Sequence, residues 1–144
     1  MKTAADILSG KTSGLLTIDA DATVLEAARQ MIEANVGSML VTVEGEITGI
    51  VTERDYLRRV VLEEKGSRET SVREIMTSPL IVVTPETSVE ECMSIITERR
   101  IRHLPVADEA GEVVGLVSIG DVVKFNSTQQ TAQIRYLTDY INAR

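Results

Sequence analysis

Two short clusters of one pattern hold the side chains best suited to chemistry: Gly49, Thr52 and Asp55 in GIVTERD, and Gly115, Ser118 and Asp121 in GLVSIGD. Each sets a hydroxyl three residues before a carboxylate, where a β-rich run gives way to a helical pattern. A helix opening at that point presents free N–H groups and the positive end of its dipole, which suit a phosphate, with the hydroxyl as a further donor. A carboxylate one turn on can accept both hydroxyls of a ribose. Gly49 and Gly115 lack side chains, which allows close approach of a ligand or of a neighbouring backbone. The same spacing is that of a helix N-cap, and Thr3/Asp6, Thr23/Glu26, Ser71/Glu74 and Ser88/Glu91 carry it too, so capping alone is the competing explanation.

Basic residues indicate where a phosphate could go. The net charge is −7 and the pI about 4.8, which argues against a nucleic-acid surface. Yet Arg99, Arg100, Arg102 and His103 fall within five positions, and Arg54, Arg58 and Arg59 surround the first cluster. Arg99 and Arg100 also fit a solvated helix end favoured by the dipole. His103 is the sole histidine, with no second His or Cys at metal-ligand spacing. Cys92, on an apolar helix face without a His or Asn partner, reads as a buried structural thiol, and Met31, Met39, Met76 and Met93 read as core. No phosphate-binding Walker loop or paired-carboxylate signature accompanies them, so the chain is expected not to be an enzyme and to need no metal or cofactor.

The elements that must position these residues come in duplicate. VLEAARQM at 24–31 aligns with VEECMSII at 89–96 at an offset of 65, and the two glycine clusters align at 66, the self-similarity of a repeat. In each copy a short β-rich run (15–18, 80–83) leads through a polar stretch to a capped amphipathic helix. The expected apolar faces are Val24, Ala27, Ala28, Met31 and Ile32 in one copy, and Val89, Cys92, Met93 and Ile96 in the other. A hairpin follows (38–43 with 47–51 around Glu-Gly, 103–107 with 113–117 around Ala-Gly), then a second helix (54 to about 62, 121 to about 125). The expected class is α+β, two β-α-β-β-α repeats over 1–65 and 66–126, with 63–70 as a polar linker. Ile134, Leu137 and Ile141, with Tyr136 and Tyr140, suggest a terminal amphipathic helix over 127–144 whose apolar face needs a partner. A 60-residue copy buries too little surface to stand comfortably alone, so the copies are expected to pack with pseudo-twofold symmetry, which makes two equivalent clefts. With 144 residues, 43% of them apolar, and apolar runs only a few residues long, a soluble protein without a membrane span is expected. The N-terminus lacks the apolar core of a secretory signal, which makes the cytoplasm the default compartment.

With this order, with RHLPV (102–106) opening the central strand of the second copy and G-x-x-[ST]-x-x-D closing both, the chain resembles a tandem CBS-domain pair. This Bateman module is named after cystathionine beta-synthase, and the resemblance covers residues 1 to about 126. The first copy departs from it: GSMLV (37–41) has no Arg, His or Pro where the second has Arg102, His103 and Pro105. The resemblance implies a regulatory sensor of AMP, ADP, ATP or S-adenosylmethionine, acting on an unknown effector protein in trans, and a homodimer. It implies nucleotide contacts from Thr52, Arg54 and Asp55, from Ser118 and Asp121, and from Gly37, Ser38, Ile101, Arg102, His103 and Pro105. By the family's pattern the residues before the proline of one copy reach the nucleotide held by the aspartate of the other. Arg102 and His103 are then expected at the phosphates of a nucleotide whose ribose sits on Asp55, in the cleft that takes the more highly charged ligand. A ligand-free structural or dimerisation module remains the alternative.

Overall fold

The computed structural model describes residues 1–11 and 14–127; the expected terminal helix lies, from residue 128 on, outside the described residues. The order is α1 (Ala4–Ser9), β1 (Thr17–Asp19), α2 (Val24–Ala34), β2 (Ser38–Val43), β3 (Glu46–Thr52), α3 (Glu53–Tyr56), a π turn (Leu57–Val61), α4 (Val72–Ile75), α5 (Val89–Arg99), β4 (His103–Ala107), β5 (Val113–Ser118) and α6 (Ile119–Ser127). By packing, the described residues divide into two bodies: a first body, Leu15–Leu80, and a second body made of residues 1–11 and 14 with residues 81–127. Packing therefore cuts the chain differently from boundaries drawn at 65 and 126. α1 opens the first repeat but belongs to the second body, and α4 opens the second repeat but belongs to the first.

In the first body β1 pairs parallel with β2, and β2 antiparallel with β3, with a bulge between Val41 and Thr42. The β2–β3 turn has positive φ at Glu44 (53°) and Gly45 (85°), the two-residue geometry that favours glycine. On α2 the side chains of Val24, Ala27 and Met31 are buried with Met39, Val41, Val51 and Ile75. Ile32, expected on that face, is instead 82% exposed: the stripe that meets the sheet ends at Met31, and the next residue turns to its edge. The expected linker is tied down. Thr70 is buried, its hydroxyl donates to the Gly66 carbonyl at 2.7 Å and its own carbonyl accepts from the Val24 amide at 2.9 Å. α4 then docks through Val72 N–H to the Ala22 carbonyl and Arg73 N–H to the Ala20 carbonyl, both at 2.8 Å.

In the second body β4 and β5 form a two-stranded antiparallel sheet whose bulge, between Val106 and Ala107, matches that of the first body. α5 buries Val89, Cys92 and Ile96 among Leu104, Val106, Val117 and Val122. Cys92 is the core thiol its helix face suggested, and burial pushes its pKa up. The run at 80–83 is not a strand. It makes a single parallel bridge, Val83 to Val106. In the first body Leu40 N–H donates to the Leu16 carbonyl at 3.0 Å, whereas the position matching Leu40 is Pro105, which has no N–H to donate. One proline thus removes the rung that would lengthen the pairing.

Gly49 and Gly115 are filled by the docked leading segments. A Cβ on Gly49 would stand 2.9 Å from both the Met76 sulfur and the Thr77 carbonyl oxygen, whereas the three atoms nearest one on Gly115 are all of the Leu8 side chain, two of them at 2.6 Å. Thr77 is locked, since it exchanges both backbone hydrogen bonds with Ile50 (3.0 and 2.9 Å). Gly49→Ala should therefore cost about 1–3 kcal/mol by overpacking, and Gly115→Ala less because the end of a leucine can rotate. Urea unfolding of the two variants checks the order; equal losses would show that the Thr77 clamp yields.

Candidate functional site

Each glycine cluster forms a strand-to-helix junction. In the first body Thr52 ends β3 and caps α3: its hydroxyl accepts from Asp55 N–H at 3.1 Å and donates to Asp55 Oδ2 at 3.0 Å, and its own N–H donates to Oδ2 at 2.9 Å. The Glu53 amide donates to the Gly37 carbonyl at 3.0 Å. Two of the first three amides of the turn are thus spent inside the protein, and so is the Thr52 proton. Asp55 Oδ1 has no partner among the described residues. Gly37 is half-buried, Ser38 is buried opposite Thr52 in the β2–β3 register, and Arg54 is exposed. Glu53 Oε1 lies 3.0 Å from where a Cβ on Gly37 would stand.

The second body repeats the junction with one addition. Ser118 N–H donates to Asp121 Oδ2 at 2.9 Å, Asp121 N–H to the Ser118 hydroxyl at 3.0 Å, and the Ile119 amide to the Arg102 carbonyl at 2.8 Å. Asp121 Oδ2 also takes the ammonium of Lys11, at 2.7 Å, a charged donor that Asp55 lacks among the described residues. Lys11 Nζ also donates to the Leu116 carbonyl at 2.8 Å. Leu116 matches Ile50, whose carbonyl takes the Thr77 amide, so an ammonium fills a place that the first body gives to a backbone N–H. Burial pushes the Asp121 pKa up, but the Lys11 hydrogen bond and the Ser118 amide outweigh it and leave it below the ordinary carboxylate value. Oδ1 of Asp121 again has no partner among the described residues.

Of the other expected site residues, Ile101 packs against the core, Pro105 is buried in β4, and Arg102 is exposed at the head of that strand. His103 lies opposite Ser118 in the β4–β5 register. Burial lowers its pKa from 6.5 to about 4; Asp121 opposes the shift, and Lys11 and Arg102 add to it. At neutral pH it is therefore an uncharged imidazole. Arg99 ends α5, and Arg100 is its cap in the left-handed conformation (φ 54°), bonded through its amide to the Ile96 and Thr97 carbonyls. Sequence reasoning missed Lys11. It stands 110 residues from Asp121, and the only signal is the parallel between Thr3/Asp6 and Ser71/Glu74, which aligns the two leading helices and sets Lys11 against Pro79.

The CBS-domain family model matches residues 4–62 and 72–127, nearly all of both repeats. The chain belongs to the CBS-domain family. It is 43% identical over 126 residues to the CBS domain-containing protein CBSX3, mitochondrial, of Arabidopsis thaliana, covering 84% of this chain and 61% of that one; this CBS pair thus spans about three-fifths of that relative. Among solved structures, a CBS-domain protein from Burkholderia ambifaria MC40-6 is 43% identical with a TM-score of 0.85, covering 90% of this chain and 97% of that one. The CBS domain protein PAE2072 from Pyrobaculum aerophilum, complexed with AMP, shares the fold at 24% identity and a TM-score of 0.74, over 83% and 88% of the two chains.

Proposed function

We propose that this CBS pair is a regulatory module that binds an adenine nucleotide, AMP, ADP or ATP, or S-adenosylmethionine, at the Thr52–Asp55 and Ser118–Asp121 junctions. Binding would be read by an effector protein in trans, with no turnover by the pair itself. One observation carries the reading: in both bodies the repeated motif ends on an aspartate whose Oδ2 is held by the fold while Oδ1 stays unpartnered among the described residues. A cap needs only the first oxygen; the second is left over for the hydroxyls of a ribose. The AMP bound by the Pyrobaculum protein supports adenosine as the class of ligand. The same reading makes the protein a cytoplasmic homodimer, and the exposed Leu57, Val61 and Leu62 beside the first junction are apolar surface of the kind an assembly covers.

The second reading, a ligand-free structural module, is favoured by the satisfied capping boxes themselves. A thermal-shift panel of AMP, ADP, ATP, NAD and S-adenosylmethionine separates the two. A ligand at a hundredfold excess over its Kd stabilises the folded protein by about 2.7 kcal/mol, a rise in Tm of several degrees. A flat panel across all five leaves the capping explanation standing.

A further inference from the structure

Lys11 brings to the second junction a cation bound to the aspartate, which the first junction lacks among the described residues. In both bodies Asp Oδ2 takes a backbone N–H from the residue three before it. The neutral Thr52 hydroxyl also donates to it in the first body, and the Lys11 ammonium does so in the second. The two carboxylates therefore offer the same open oxygen in different electrostatic settings. Asp55 makes no ion pair among the described residues, and the acidic Glu53 opens the same helix. Asp121 is neutralised by a cation 2.7 Å away, and its neighbour at the position of Glu53 is the apolar Ile119.

We propose that Lys11 makes the Asp121 junction selective for phosphorylated over unphosphorylated nucleosides, an inference that rests on the nucleotide reading above. An isolated carboxylate that holds the diol of a ribose also repels the phosphate carried on the same sugar. The Lys11–Asp121 pair removes that repulsion without occupying Oδ1. An ammonium has three donors; two are used, on Asp121 and the Leu116 carbonyl, and the third has no partner among the described residues. The side chain is fixed by those two bonds and is 28% exposed, so it meets a ligand without first being ordered. A charge-assisted contact to phosphate is stronger than a neutral one, and only phosphorylated ligands collect it.

The test is calorimetry on the full chain carrying Asp55→Ala, which leaves the Asp121 junction as the reporter, titrated with AMP and with adenosine. Lys11→Met should lower the ratio of AMP to adenosine affinity about 5- to 10-fold, with adenosine affinity held or improved. Lys11→Gln, which keeps a donor for Leu116 and Asp121 without the charge, should do the same, and it carries the test if the Met variant fails to fold. Lys11→Arg should retain the ratio. An equal change in both affinities, or an unchanged ratio in Lys11→Gln, overturns the proposal and leaves Lys11 as a latch for the N-terminal segment. If the wild type binds AMP and Asp55→Ala binds neither ligand, the proposal falls while the nucleotide reading stands; if the wild type also binds neither, both fall.

Discussion

Acidification from pH 7 to pH 4 should cost this protein about 3 kcal/mol of unfolding free energy through His103 alone. The folded imidazole has its pKa lowered to about 4 from the ordinary 6.5, chiefly by burial, with Lys11 and Arg102 adding to the shift and Asp121 opposing it. Between those values the unfolded chain binds a proton that the folded chain refuses, so stability rises with pH across the window. The contribution is fully present above about pH 6.5, has fallen by about 2 kcal/mol at pH 5, and is exhausted as pH drops through the folded pKa. Asp121 acts in the same direction but lower, since its depressed pKa gives stability that is present above the ordinary carboxylate value and is lost only below it. His103→Gln isolates the imidazole. Urea unfolding of both proteins between pH 7 and pH 4.5 should show a steep loss in the parent and a shallow one in the variant. Parallel curves would mean that His103 is solvated enough to protonate in place.

Asp55→Ala should weaken adenine-nucleotide binding at the first junction by about 1.5–3 kcal/mol, the range for hydrogen bonds to a charged group, or about 10- to 150-fold in Kd. The same substitution removes a capping box in which Oδ2 holds both the amide and the hydroxyl of Thr52, so a stability loss of about 1 kcal/mol accompanies it. The two effects are separable. Thr52→Ala removes the cap hydroxyl and leaves the aspartate, so it should cost similar stability with a smaller loss of affinity. Calorimetry and unfolding on both variants decide the matter: if Asp55→Ala lowers stability and leaves affinity for every nucleotide untouched, the aspartate is a cap and nothing more.

Much of the architecture was legible because it is written in local chemistry. The duplicated helices could be placed from apolar spacing and from Thr23 and Ser88, whose hydroxyls do accept the Glu26 and Glu91 amides. The hairpins follow from Glu-Gly and Ala-Gly between alternating runs, and the cap at each glycine cluster from hydroxyl-to-carboxylate spacing. These are contacts within about four residues, so the residues that make them lie side by side in the chain. A sequence reading fails where a long-range partner changes a local outcome. The run at 80–83 has the composition of a strand, but whether its pairing extends to Ile81 depends on an amide 24 residues away, and Pro105 has none to give.

The sequence by itself determined the repeat, the family, the two junctions and the identity of their aspartates, since each is a pattern of neighbours with a steric or hydrogen-bonding cause. Only the tertiary structure decided what each junction is made of. It set α1 in the second body and α4 in the first, through backbone bonds that do not depend on which side chains the residues carry. It neutralised His103 by burial and filled the two glycine gaps with Leu8 and Met76. It also delivered Lys11 to Asp121 across 110 residues. The physical reason is one of range: a cap is stabilised by groups within one turn and can be read from spacing, whereas the charge on a site is a sum over everything that packs against it.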